Sequence, residues 1–297
     1  MSHHWGRFMS VGKNHFGPLK ISKRYHPQNA LSLAVACQLS YKSEKSIIAR
    51  ASDWGFSQVQ FLEVTEGHRI DMQCYVMADQ DNIVVIFRGN DDLKDWLANF
   101  TAITETGPFT DSSVHKGFQD ALESAAQGLT AIVKKFGSES KKIWITGHSF
   151  GGALASLYGG VLTREHHQVY GIYTFGSPRP GDENFAASLN SAVIGPHYRI
   201  ANEGDIVVHL PPEPFYSHAG KRIILKRDKR ETSKESWLQL QITTVKAFFR
   251  HVADVIDITD NHRLNGGDES YIPRLIKDAA RTISTVDVVV VNSEYER

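Results

Sequence analysis

Short runs of apolar residues alternate along the chain with longer stretches in which apolar residues repeat every three or four positions. The short runs have the length and the β-branched and aromatic content of strands, whereas the longer stretches have the period of amphipathic helices. The predicted strands are 72–77, 83–87, 143–146, 170–175 and 198–201, and the predicted helices are 27–41, 121–136 and 152–164. This alternation predicts a largely parallel sheet with helices on its faces.

A polar turn, and not a helix, joins the first two predicted strands. The connection contains Asp79, Asp81 and Asn82, which are residue types that favour turns. We therefore expect strands 72–77 and 83–87 to pair as an antiparallel hairpin, in contrast to the later strands, which are separated by helical segments.

The length and composition indicate one folded domain. The chain has 297 residues, 41% of them hydrophobic, and this is enough to bury a large core. No repeat, low-complexity tract or Pro/Gly-rich linker divides it. We predict a single domain over residues 1–297 with an N-terminal extension of about 25 residues.

The overall charge does not predict nucleic-acid binding, because lysine plus arginine and aspartate plus glutamate balance at 33 each. The oligomeric state is left open.

Targeting and metal signals are weak. Residues 1–7 lack the apolar core of a signal peptide, and no apolar run approaches the ~18 residues of a membrane helix. We therefore predict a cytoplasmic protein without a transmembrane segment. Cys37 and Cys74 are too few for a disulfide framework and predict two buried free thiols. His166 and His167 have no second ligand pair nearby, so no metal site is expected.

The sequence at 147–151, Gly-His-Ser-Phe-Gly, lies between the predicted strand 143–146 and the predicted helix 152–164. A serine between two glycines at a strand-to-helix turn is how α/β-hydrolases expose a nucleophile. Glycine is needed on both sides because the turn is strained and the helix must pass close to the strand. The alternative is a glycine-rich turn with a solvated serine.

Five blocks of sequence occur in order within about residues 31–275, and together they resemble the class 3 lipases, a family of fungal-type triacylglycerol lipases with bacterial and plant relatives. The blocks are Phe87-Arg88-Gly89 with Asp95-Trp96-Leu97, Val114 to Phe118, Thr146 to Ala155, Thr174 to Asp182, and Asn202 to Asp205 with Leu210-Pro211-Pro212. The resemblance implies an α/β-hydrolase-like fold, with a mostly parallel central sheet and helices on both faces. It also implies a serine esterase without a cofactor.

The predicted catalytic triad is Ser149, Asp205 and His262, in the chain order that α/β-hydrolases use. Serine is a poor nucleophile unless an imidazole takes its proton, and the imidazole needs a carboxylate to fix its tautomer. Asp205 follows the predicted strand 198–201; its alternative role is an Asx turn. For the histidine, His251 and His218 remain alternatives, although His218 matches a structural histidine of the family.

The segment around His262 departs from the family pattern in two ways. Asn261 stands where the family usually has aspartate, and residues 263–269 form a longer stretch before Ser270 and Tyr271. Near the serine, His115 and His148 belong to family blocks, and for them we expect packing or hydrogen-bonding roles.

Two groups are predicted to form the oxyanion hole. One is the backbone N–H of Phe150, the residue after the nucleophile. The other comes from Asn90, where relatives have serine or threonine; the asparagine amide is also a donor. The alternative role for Asn90 is that of a turn residue after a strand.

An amphipathic helix is also predicted where apolar residues recur every three or four positions, at Leu93, Trp96, Leu97 and Phe100. In the family this helix is a lid over the active site; the alternative is an ordinary packed surface helix. Farther along, basic residues at 221–222 and 226–230 flank the apolar run 223–225 and predict a solvated hairpin with charged edges. A surface for anionic membranes is the alternative.

These features predict a serine carboxylester hydrolase of lipase type whose partners are a lipid ester and a lipid–water interface. A phospholipase A1 and a short-chain esterase remain alternatives within the enzymes. A catalytically silent lipase-like interaction module is the alternative from another class, because the departures at Asn90 and Asn261 leave room for it. Acyl-chain length, positional preference and physiological substrate are left open.

Overall fold

The computed structural model describes residues 15–66, 69–90, 102–226 and 260–281. Within these residues the main element is a seven-stranded sheet, with a two-stranded sheet beside it. The strands are β1 Gln58–Glu66, β2 Arg69–Ala78, β3 Asn82–Phe87, β4 Thr104–Thr106, β5 Ser113–His115, β6 Lys142–His148, β7 Val169–Phe175, β8 His197–Asn202 and β9 Lys221–Leu225.

The large sheet has the spatial order β1-β2-β3-β6-β7-β8-β9. Strands β1, β2 and β3 pair antiparallel, so the predicted hairpin is confirmed. From β3 onwards all neighbours are parallel, with Val85 opposite Ile145 in the β3–β6 pair. Because parallel neighbours end at the same edge of a sheet, the carboxyl ends of β6, β7 and β8 lie side by side.

Helices pack on both faces of the large sheet. They are α1 Pro27–Leu39, α2 Glu44–Asp53, α3 Lys116–Lys135, α4 Phe150–Arg164 and α5 Glu183–Ala192, followed by residues 271–281, called α6 here. None of the described helices has both the length and the apolar character needed to cross a bilayer.

Alternate side chains of each central strand enter two separate cores. In β3, Val85 and Phe87 face the core that packs against α3, α4 and α5. Val84 and Ile86 face the opposite core, which packs against α1, α2 and α6. Strands buried on both faces are apolar throughout, and this explains the unbroken apolar run of β3. The α/β-hydrolase-like class with helices on both faces is confirmed.

Helix α3 begins five residues before its predicted start, at Lys116 and not at Ala121. Its buried apolar stripe already begins at Phe118, and Lys116 pairs with Asp120 one turn later, with 2.8 Å between Nζ and Oδ1. Both features favour helix in the first turn.

Cys37, at the other side of the sheet, is a buried free thiol as predicted. Cys74 is also buried and free.

The structure describes only the first part of the hairpin predicted for residues 221–230, so the hairpin stays a prediction. Lys221–Leu225 form a single strand, β9, which pairs parallel with β8 at the edge of the sheet. Residues 227–230 lie outside the described residues. An edge strand and one arm of a hairpin can carry the same residue pattern, so the sequence could not separate them. The exposed Lys221 and Arg222 still charge the sheet edge.

The segment before α1 follows that helix closely. Ser32 Oγ accepts from the N–H of Gly17 and donates to its carbonyl, both at 2.9 Å. Asn29 Oδ1 accepts from the N–H of Lys20 at 2.7 Å, and Asn29 Nδ2 donates to the carbonyl of Lys20 at 2.8 Å.

The assignment of residues 1–297 to one domain stays a prediction, because residues 1–14 lie outside the described ranges.

Candidate active site

The candidate nucleophile lies directly after a central strand. Strand β6 ends at His148, Ser149 follows, and α4 begins at Phe150. Ser149 has φ +57° and ψ −128°, a backbone conformation that residues with a Cβ rarely adopt. Such a conformation costs of order 1–3 kcal/mol and persists only where the surrounding structure imposes it. The turn therefore projects the serine side chain away from both the strand and the helix.

Gly151 allows α4 to pass close to β3. A Cβ at Gly151 would lie 2.5 Å from the carbonyl oxygen of Phe87 and 2.8 Å from that of Arg88, both too short for real contacts. Since both atoms belong to the backbone, they cannot move aside cheaply. Only glycine fits here, and this accounts for the second glycine of the predicted turn.

The three predicted triad residues meet at this edge of the sheet. His262 Nε2 is 2.9 Å from Ser149 Oγ, and His262 Nδ1 is 2.9 Å from Asp205 Oδ2 and 3.0 Å from Oδ1. Nδ1–H donates to the carboxylate, and this leaves Nε2 as the acceptor for the serine O–H. All three side chains are buried. The arrangement can deprotonate a serine hydroxyl and hold the resulting imidazolium beside a carboxylate.

Asp205 has two further donors. The N–H of Val207 donates to Oδ1 at 3.0 Å, so the Asx turn offered as an alternative exists together with the histidine contact. The Tyr271 O–H donates to Oδ2 at 2.6 Å. Burial, and then the nearby Asp205, raise the pKa of Tyr271 well above its ordinary value, so its proton stays in place. Three donors around one carboxylate fix its orientation.

Sequence reasoning assigned no role to Tyr271 or to Gly176, although both occur in quoted family blocks. Gly176 follows β7 with φ +57°, and a Cβ there would lie 2.9 Å from Asp205 Oδ2 and 3.0 Å from His262 Cε1. The absence of a side chain makes room for the carboxylate–imidazole pair. The glycine in the Gly-Ser-Pro block was the available signal.

His148 contacts the histidine of the triad and not the serine. Its Nε2 donates to the main-chain carbonyl of His262 at 2.7 Å, and the two ring centroids are 4.9 Å apart. Burial, and then the neighbouring His262, lower the pKa of His148 to about 3. A neutral His148 supports the loop that carries His262.

The other histidines considered for the base lie elsewhere. His218 donates from Nε2 to the carbonyl of Val208 at 2.7 Å, so it braces the segment after Asp205. His251 lies outside the described residues. His115 is buried, with its ring centroid 4.4 Å from that of Phe118. Among the described residues, no three histidine, cysteine or acidic side chains cluster in a way that would hold a metal ion.

The predicted oxyanion donors flank Ser149. The N–H of Phe150 belongs to the first turn of α4, where backbone N–H groups have no acceptor within the helix. Asn90 follows Gly89, and a Cβ at Gly89 would lie 3.5 Å from Ser149 Cβ. Phe150 and Gly89 thus lie next to the nucleophile, and Asn90 is the residue after Gly89. The predicted lid residues Leu93, Trp96, Leu97 and Phe100 lie outside the described residues.

Burial lowers the pKa of several histidines and so makes stability depend on pH; two of them, His148 and His209, show how. Burial lowers the pKa of His148 to about 3 and that of His209 to about 4, whereas both have the ordinary value of 6.5 in the unfolded chain. Below pH 6.5 the unfolded state binds protons that the folded state does not, so stability is full above 6.5 and falls towards pH 4. The expected loss is about 1.4 kcal/mol per pH unit for each histidine.

Urea unfolding at pH 7.5, 6 and 5 measures this loss. His209→Gln removes one of these groups and is expected to make the dependence on pH shallower. A free energy of unfolding that is equal at pH 7.5 and pH 5 would contradict the argument.

Comparisons with known proteins point to one family. Residues 84–215 match the class 3 lipase family. A lipase of Rhizomucor miehei is 32% identical over 198 residues, which are 63% of this chain and 54% of that protein. The secreted mono- and diacylglycerol lipase 1 of Fusarium solani is 32% identical over 177 residues, 58% of this chain and 49% of that protein. The structure of a Rhizomucor miehei triacylglyceride lipase aligns with a TM-score of 0.55 at 27% identity, over 65% of this chain and 77% of that one.

These comparisons contradict the predicted cytoplasmic location. The Fusarium solani relative is described as secreted, which points to an extracellular location. The prediction was wrong because it relied on the absence of an apolar stretch near Met1, and an absent signal does not show where an enzyme works.

The chain spans about half the length of the two curated relatives given above. The matched part contains β3, the serine turn at Ser149 and the strand that precedes Asp205. The sequence match and the structural alignment both point to this family. Over residues 84–215 the chain is therefore similar to the class 3 lipase family.

Proposed function

We propose that this protein is a serine carboxylester hydrolase of lipase type, with Ser149, His262 and Asp205 as its catalytic triad. The observation that carries the proposal is the chain of hydrogen bonds from Ser149 Oγ to His262 Nε2 and from His262 Nδ1 to Asp205. A nucleophile, a base within hydrogen-bond reach and a group that orients the base are the parts that acyl transfer needs. The strained backbone at Ser149 supports the same role.

Acylation begins when His262 Nε2 takes the serine proton while Ser149 Oγ attacks the ester carbonyl carbon. The carbonyl oxygen becomes an oxyanion, for which we assign the Phe150 N–H and the Asn90 amide as donors. The imidazolium then gives its proton to the departing alcohol oxygen as the ester C–O bond breaks. In the second half, His262 takes a proton from water, which attacks the acyl-enzyme and releases the carboxylic acid and free Ser149.

The substrates proposed are acylglycerols or related lipid esters, presented at a lipid–water interface outside the cell. The support is the lipase names of the relatives, one of which is a secreted mono- and diacylglycerol lipase. Phospholipase A1 and short-chain esterase activities use the same triad and oxyanion donors, so they remain alternatives that differ only in the shape of the substrate site.

A fluorophosphonate probe tests the proposal on the intact protein. The probe phosphonylates an activated serine, so labelling at about one equivalent per chain, located at Ser149 by peptide mass, is expected. Heat-denatured protein is the control, since labelling must depend on the folded triad. Folded protein that does not label would instead support the silent lipase-like module.

The lid is tested by rates on an emulsified ester. If the stripe of Leu93, Trp96, Leu97 and Phe100 covers the site in water, opening exposes several hundred Å2 of apolar surface, at about 25 cal/mol per Å2. A lipid surface removes that cost. The rate on a long-chain triglyceride is therefore expected to jump as its concentration passes the solubility limit. A smooth saturation curve through the limit would point to a short-chain esterase.

A further inference from the structure

A buried arginine on α6 supports the segment that carries the triad histidine. Arg274 donates from Nη2 to Asn261 Oδ1 at 3.2 Å and from Nη1 to the carbonyl of Leu225 at 3.0 Å. The same guanidinium forms an ion pair with Glu269. Its side chain is only 5% exposed. One side chain thus joins the residue before His262 to the end of β9 and to the long loop that follows His262.

A second side chain holds the same segment from β8. Asn202 Nδ2 donates to the carbonyl of Asn261 at 2.7 Å and to that of Glu269 at 3.1 Å. Asn202 lies three residues before Asp205, and its own N–H donates to the Tyr271 hydroxyl at 3.0 Å. Both ends of the loop from 261 to 269 are therefore bound to the strand that leads to the triad carboxylate.

The charges in this set differ from those that the family pattern predicts. Asparagine at 261 offers Arg274 a neutral oxygen where an aspartate would offer a charge. Glu269, in the longer stretch between His262 and Tyr271, provides a carboxylate to the same guanidinium. Since a buried cation without a counter-charge is strongly destabilising, the carboxylate at 269 compensates for the amide at 261.

We propose that Arg274, with Glu269 as its counter-ion, is a positioning residue that fixes the main chain at Asn261 and thereby the ring of His262. This inference rests on the proposed function for the role of His262.

Several other groups face His262. Asp205 approaches its Nδ1 from the end of β8, with the Tyr271 hydroxyl on the same carboxylate, and the neutral His148 ring approaches from β6. On the histidine's own segment, Asp260 and Arg263 pair with each other at 3.2 Å in an exposed position. Changes at 261 and 269 leave all of these groups in place, so their effects on His262 can be compared directly.

The test is a cycle of Glu269→Gln, Asn261→Asp and the double variant. Glu269→Gln is expected to lower kcat about tenfold with KM within about twofold, because a misplaced base slows chemistry more than binding. With its carboxylate partner neutralised, the Arg274 guanidinium disfavours the imidazolium, so the acidic limb of the pH–rate profile is expected to move to lower pH. Asn261→Asp adds a negative charge and moves the limb to higher pH. The double variant is expected to return both kcat and the limb to the parental values.

Asp268→Asn is the matched control, since it removes an exposed carboxylate from the neighbouring residue. It is expected to leave kcat and the limb unchanged. Any of three results would overturn the inference. They are a parental kcat in Glu269→Gln, equal effects of Asp268→Asn and Glu269→Gln, and no recovery of kcat in the double variant. If Glu269→Gln does not fold, Arg274→Lys keeps the charge but loses the fork of donors, and the same loss of kcat is expected; parental kcat would overturn the inference.

The low-field 1H NMR signal of the His262 Nδ1 proton, assigned by its loss in His262→Ala, gives a readout that needs no turnover. It is expected to shift in Glu269→Gln and to return in the double variant. An inactive parent in which the signal behaves in this way would refute the proposed function and leave the positioning role supported. An unmoved signal would refute the positioning role.

Discussion

Ser149→Ala is expected to reduce hydrolysis of a p-nitrophenyl ester by at least about a thousandfold, because no other group in the site can form the acyl-enzyme. The melting temperature is expected to stay within about 3 °C of the parent. The substitution removes one hydroxyl and its bond to His262, and alanine has to adopt the same positive φ as serine. Initial rates and thermal unfolding of the two purified proteins measure both quantities.

Ser156→Ala is the matched control. Ser156 is also a buried serine of α4, and its hydroxyl donates to the Gly152 carbonyl at 3.2 Å without contacting His262. Its replacement is expected to leave the rate within about threefold of the parent. Equal rates for Ser149→Ala and the parent would remove Ser149 from the mechanism.

His262→Ala is expected to lower kcat by about 10³–10⁵-fold, since the serine loses the base that takes its proton. His218→Ala is expected to keep kcat within about threefold but to lower the melting temperature. His218 donates to the Val208 carbonyl in a buried position, and a buried acceptor left without its donor costs about 1–3 kcal/mol. Steady-state kinetics and thermal unfolding on both variants separate a catalytic loss from a structural one.

The reverse result, with catalysis lost in His218→Ala and kept in His262→Ala, would make His218 the base and would require a different alignment of the C-terminal segment. Asp205→Asn provides a check on the same triad. It is expected to lower kcat strongly while the turn with Val207 N–H is kept, because an amide oxygen still accepts that bond but no longer stabilises an imidazolium.

Much of the fold could be predicted because its signals are local. The serine turn consists of a strand, five residues and a helix that are consecutive in the chain, so their residue types alone indicate the geometry around Ser149. The hairpin of β2 and β3 was predictable for the same reason, since its turn residues lie between the two strands. The later strands were located, but their exact ends were set by packing: α3 extends to Lys116 because Phe118 reaches the core.

Features that depend on contacts between residues distant in the chain were harder to predict from the sequence. A parallel edge strand and one arm of a hairpin can carry the same residue pattern, so the sequence did not indicate that residues 221–225 pair parallel with β8. The family pattern suggested His262, but the residues alone left three histidines open, because a base needs only a position next to its partners. The role of Tyr271 had no local signal, and the signal for Gly176 was limited to the Gly-Ser-Pro sequence that follows β7.

The sequence by itself determined the class of fold, the nucleophile and its turn, because each depends on neighbouring residues and on the alternation of apolar positions. Only the tertiary structure decided which histidine meets that nucleophile, 113 residues away, and which carboxylate meets that histidine, 57 residues away. It also placed the Arg274 guanidinium beside Asn261. The physical reason is that contacts between residues distant in the chain depend on how the strands stack and where their ends meet, and no single segment encodes that arrangement.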